Sequence, residues 1–70
     1  MHKRPKNTLR AEMARHRVTQ RELAQTLKVT EQSIRNWLKG ESAPNIEEAI
    51  RIWEHLKAKG LDMSLHDLFS

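Results

Sequence analysis

The segment from Thr19 to Gly40, TQRELAQTLKVTEQSIRNWLKG, constrains the chain most, because two short helices and the tight turn between them can be read from it residue by residue. Its apolar positions are Leu23, Ala24, Leu27, Val29, Ile34, Trp37 and Leu38, and their helical spacing changes phase once, at Lys28-Val29. One helix therefore ends there and another begins. Thr19 and Glu22 have the spacing of a capping box, in which the hydroxyl takes a first-turn amide and the carboxylate reaches back to the Thr19 amide. Thr30 stands where it can cap the second helix, and Gly40 follows the last apolar residue, where a left-handed residue closes the carbonyl end.

The rest of the chain reads as three more helices. Asn7 or Thr8 caps a first one that runs to about His16 or Arg17, with Leu9 and Met13 inward and Arg10, Arg15 and Arg17 outward; Val18 then staples the chain onto the next. The motif helices span about Gln20 to Leu27 and Glu31 to Lys39. Pro44 and Asn45 begin a fourth, with Asn45 and Glu48 as a second capping pair and Ile46, Ala49, Ile50, Trp53 and Leu56 as its apolar stripe, and Gly60 ends it. Ser64 and Asp67 open a short fifth helix carrying Leu65, Leu68 and Phe69. Residues 1–6 read as a flexible basic arm and residues 7–70 as a single domain.

Length and composition narrow the function. A chain of 70 residues buries only about 60% of its unfolded surface, so an enclosed catalytic cavity, and with it an enzyme, is not expected. There is no Cys, which removes disulfides, thiolate nucleophiles and zinc-thiolate sites. The N-terminus is charged with no hydrophobic segment after it, and no apolar run exceeds two residues, so neither a signal peptide nor a membrane span is expected and the chain is assigned to the cytoplasm. The net charge of +4 is unevenly spread: residues 1–40 carry ten Lys or Arg against three Asp or Glu, and residues 41–70 carry three against six. The basic part holds the two-helix motif, which suits a polyanionic partner.

The motif resembles the helix-turn-helix of the phage repressor and Cro family, also called lambda-repressor-like or xenobiotic-response-element. The residues that carry the resemblance are Gln20, Leu23-Ala24 and Leu27 on the first motif helix, Val29 after the turn, Ile34 and Trp37 on the second, then Gly40 and Pro44. With one helix before the motif and two after, it covers nearly the whole chain. It implies an all-α, compact five-helix DNA-binding domain with the motif in helices 2 and 3. It also implies a sequence-specific transcriptional regulator of repressor type, two copies of which pair through their C-terminal helices on a palindromic operator. One position departs: the family usually has Gly at the turn, where this chain has Lys28. A left-handed non-Gly residue costs roughly 1 kcal/mol, so either Lys28 bears that strain or the turn is built differently.

With Ile34, Trp37 and Leu38 inward, the third helix turns Glu31, Gln32, Arg35, Asn36 and Lys39 outward as one stripe. The helix is ~15 Å long at the standard rise, a length the major groove accepts. Gln32 and Asn36 each join an acceptor to a donor, the combination that grips adenine, and Arg35 can fork onto guanine. Glu31 could accept from cytosine, but it also stands four residues before Arg35, the spacing of an intrahelical ion pair that would aim Arg35. Ser33 could bond a base or a phosphate. The resemblance implies that Glu31, Gln32 and Asn36 do most of the base reading. It also implies a phosphate contact for Gln20 at a helix N-terminus. Arg10, Arg21, Thr30 and Lys39 complete the expected phosphate set, with Ser42 and Asn45 secondary; Lys3, Arg4 and Lys6 could reach a minor groove.

Neither a metal nor another cofactor is expected, since His2, His16, His55 and His66 lack metal-ligand spacing. Nor is a small-molecule ligand, because Trp53 and the stripe around it read as core. Met63, Leu65, Leu68 and Phe69 exceed what so small a domain need cover, and a surplus there would make a homodimer contact. Two alternatives stand beside the repressor: an antitoxin that represses its own synthesis, and a protein-interaction module of the same fold without DNA binding. The polar stripe on the basic side favours DNA.

Overall fold

A computed structural model describes residues 8–69, and the expectations for the arm at 1–6, for Asn7 and for His2 lie outside them. Five helices follow one another: α1 (Thr8–Arg15), α2 (Gln20–Leu27), α3 (Glu31–Lys39), α4 (Ile46–Ala58) and α5 (Leu65–Phe69). Helices α2 and α3 pack on each other, α4 packs on α2 and α5, and α5 on α1. The side chains they enclose include Leu9, Met13, Leu23, Ile34, Ile52, Leu56 and Leu68. No helix among the described residues is long and apolar enough to cross a membrane.

Local chemistry sets the helix ends. The Thr30 hydroxyl accepts from the Ser33 amide at 3.1 Å, which starts α3, and Gly40 closes it with φ 82°. Asn45 and Glu48 form a complete capping box on α4, each side chain accepting the other residue's amide. The Asp67 amide donates to the Ser64 hydroxyl at the start of α5. Helix α1 stops at Arg15, short of the expected end, because Arg17 turns left-handed (φ 60°) and directs Val18 inward, where its amide bonds Met13 O at 2.8 Å. The turn between α2 and α3 uses the same device. Lys28 is left-handed, at φ 62° and ψ 43°, and its amide bonds Ala24 O. Lys28 therefore bears the strain. Lys28→Gly should raise stability by roughly 1 kcal/mol, about 4–8 °C in the melting temperature of a domain this size; an unchanged or lower temperature in a calorimetric scan would contradict this account of the turn.

The capping box expected at Thr19 is only half made. The Thr19 hydroxyl accepts from the Glu22 amide at 3.0 Å, but the Glu22 carboxylate points elsewhere. It lies 2.6 Å from His55 Nε2 and 3.3 Å from Lys59 Nζ, so it fastens α2 to the C-terminal part of α4. An imidazole N–H and a lysine ammonium together outcompete one backbone amide for an ionised carboxylate. The hydrogen bond from His55 is the main reason that the Glu22 carboxyl titrates below its ordinary 4.5, with Lys59 adding to the effect and partial burial opposing it. A depressed folded pKa contributes stability that is present above 4.5 and is lost as pH falls through the folded value. Glu22→Gln should therefore lower the melting temperature at neutral pH and flatten its decline below about pH 4.5; parallel curves for the two proteins would sink the assignment.

The stripe on α4 is rotated from the expected one. Ala49, Ile52 and Leu56 are its buried residues, with Ile50 and Trp53 half-buried and Ile46 70% exposed. At about 100° per residue, Ile46 lies roughly 90° from the middle of the face that contains Ile52, and only one such face can be covered. Trp53 Nε1 donates to Met63 O at 2.9 Å and so ties α4 to the segment before α5. Leu68, expected among the surplus apolar residues, is 1% exposed and belongs to the core; Met63, Leu65 and Phe69 stay half-buried. Glu12 is buried on α1 and meets His16 Nε2 at 3.3 Å, which accounts for a carboxylate in an otherwise apolar face.

Candidate nucleic-acid interface

The interface is built around α3. Ile34 and Leu38 are buried and Trp37 packs against the core, which holds the helix by one side and leaves the other to solvent. On the solvent side, Glu31, Gln32 and Lys39 are exposed and Arg35 and Asn36 are partly so. The capped N-terminus of α3 lies beside that of α2, since Arg21 Nε is 3.4 Å from Glu31 Oε2. That contact corrects the expected intrahelical pair. Glu31 pairs with Arg21 on the neighbouring helix, not with Arg35 one turn ahead. Among the described residues Arg35 has no ion-pair or hydrogen-bond partner, and its guanidinium keeps all of its donors.

The remaining polar groups fall into engaged and free sets. Gln32 Nε2 donates to Asn36 Oδ1 at 2.9 Å, so the two amides expected to act separately are joined. The Thr30 hydroxyl accepts the Ser33 amide and donates to Ser33 Oγ at 3.1 Å, which leaves Ser33 its own hydroxyl proton. Gln20 is the first residue of α2 and half-buried, at an end whose early amides have no intrahelical acceptor. Arg21 and Lys39 are exposed at the two ends of this surface. Arg10 is exposed on α1, outside the motif, and Ser42 is exposed in the loop after α3. Asn45 spends its carbonyl on the α4 cap.

The site's supports were the least foreseeable part. Glu22 is joined to His55, 33 residues away in sequence, and to Lys59 beyond it, and nothing local marks them as partners. The Arg21–Glu31 pair is visible in the sequence only as two opposite charges ten residues apart.

A family model described as helix-turn-helix matches residues 9–64, which take in α2 to α4 whole and all of α1 but Thr8. The chain belongs to the Cro/C1-type helix-turn-helix family. No curated protein and no solved structure matches it. The five-helix lambda-repressor-like fold agrees with that membership, and the function follows at the same level: this is a DNA-binding helix-turn-helix regulator.

Proposed function

We propose that this helix-turn-helix protein is a sequence-specific repressor that reads the major groove of double-stranded DNA with α3. One observation carries the reading. The solvent face of α3 holds an unpaired Arg35 and an amide pair at Gln32 and Asn36, all within two helical turns of a capped N-terminus. Such groups match base edges: guanidinium for guanine, a mixed donor and acceptor for adenine. Gln20, Arg21 and Lys39 flank them as phosphate contacts, with Arg10 farther out and Thr30 offering its backbone, since its hydroxyl is committed to Ser33. The first amides of α2, ahead of the one that Thr19 caps, suit a phosphate oxygen. Glu31 orients Arg21 through their ion pair, and Ser33 has a hydroxyl proton to offer.

One recognition helix touches too few bases to pick out an operator, so we assign a homodimer on two half-sites about one helical turn apart. A concavity of about 450 Å³ lined by Leu9, Trp37, Pro44 and Phe69, among others, offers apolar surface for the contact between copies. We assign repression on the resemblance of the motif to that of the phage repressor and Cro family. Selection from a random duplex pool tests the reading. A recovered palindrome supports it, whereas weak binding with no recovered motif would favour an interaction module of the same fold.

A further inference from the structure

We propose that Gln32 and Asn36 read DNA as one unit, and that the base beneath them is adenine. The inference rests on α3 lying in the major groove and goes beyond it in naming a base and the coupling that selects it. The two side chains stand one turn apart on the same face of α3, and Gln32 Nε2 donates to Asn36 Oδ1 at 2.9 Å. A free carboxamide can turn about its last torsion and present either its oxygen or its nitrogen to a base. A joined pair cannot do so independently. If Gln32 alone turned, its oxygen would face the Asn36 oxygen, two acceptors with no proton between them; if both turned, Asn36 would donate to Gln32 instead.

Each permitted state therefore points one carbonyl and one amide outward. In the first, Gln32 Oε1 is the free acceptor and Asn36 Nδ2 the free donor; in the second, the roles exchange. Adenine alone among the four bases offers an acceptor, N7, beside a donor, N6, in the major groove. Guanine offers two acceptors, and the donor of a G·C pair, N4, stands on the partner cytosine, so only adenine satisfies the outward carbonyl and amide together on one base. A carbonyl left over guanine makes no bond, which is costly in a closed interface. Arg35, which is unpaired, carries the guanine contact. The amide pair thus works as a filter for adenine whose setting is preorganised before DNA arrives.

The experiment measures affinities of the full chain, Gln32→Ala, Asn36→Ala and the double variant for the selected duplex and for duplexes changed at each base pair in turn. Both side chains lie on the solvent side of α3 and alanine favours helix, so the variants keep the fold, which circular dichroism checks. Each single substitution is expected to lose roughly tenfold or more at the same A·T pair, and the double variant to lose no more than the stronger single one. Losses at two different base pairs that multiply in the double variant would overturn the coupling. A selected site with no A·T pair whose replacement matters to either residue would overturn the base assignment. A full chain that selects no sequence would fail at the earlier step, the groove reading itself, so the two failures are distinguishable.

Discussion

Ile52→Ala is expected to cost about 2–5 kcal/mol and to leave little folded protein at ambient temperature, while Ile46→Ala, six residues earlier on the same helix, changes stability by no more than about 0.5 kcal/mol. Ile52 has no exposed surface and sits in the core with Leu23, Leu56 and Leu68, whereas Ile46 is 70% exposed. Removing the buried side chain forfeits its transfer free energy and leaves a cavity that the surrounding helices fill only in part. A domain below about 70–80 residues rarely draws more than ~3–5 kcal/mol from its core, so a single loss of this size consumes most of the margin. Thermal unfolding followed at the helix band separates the two cases. Equal effects at both positions would mean that α4 presents a different face to α2 and α5.

The second large effect concerns recognition. Arg35→Ala is expected to weaken binding to the selected site by about 1–3 kcal/mol and to relax preference at one base pair, leaving the salt dependence of affinity nearly unchanged. Lys39→Ala should do the converse. It would weaken binding by a similar factor on every sequence and reduce the salt slope by about one, because a phosphate contact releases a counterion and carries no base information. The contrast follows from position, since Arg35 stands in the middle of the exposed stripe of α3 and Lys39 at its C-terminal end. An Arg35→Ala protein that lost affinity equally on all duplexes would turn Arg35 into a backbone contact and shift the reading stripe elsewhere.

How much of this was legible in the sequence depended on distance along the chain. The bounds of α2 and α3 were readable because their signals are local: Thr19, Thr30 and Gly40 act within one helical turn, and Lys28 falls where the apolar phase changes. The capping box at Asn45 was readable for the same reason. Where a side chain chose between a local and a distant partner, local reasoning favoured the wrong one. Glu22 left its own helix start for His55 and Lys59, and Glu31 took Arg21 from the neighbouring helix in place of Arg35. The α4 stripe failed differently: its apolar residues are numerous enough to draw two faces, and only the packing of α2 and α5 against the helix selects the one with Ile52. The joining of Gln32 to Asn36 was within reach of the i, i+4 rule, which permits the contact, although each amide taken singly already satisfied a base.

The most direct test of α3 as a major-groove reader is methylation interference on the selected duplex. Methyl groups on guanine N7 lie in the major groove and those on adenine N3 in the minor. Binding should be blocked by N7 methylation at the guanine whose preference is lost in Arg35→Ala, with adenine N3 methylation of the same half-site tolerated. Interference from adenine N3 alone, with every guanine N7 tolerated, would contradict a reading helix in the major groove.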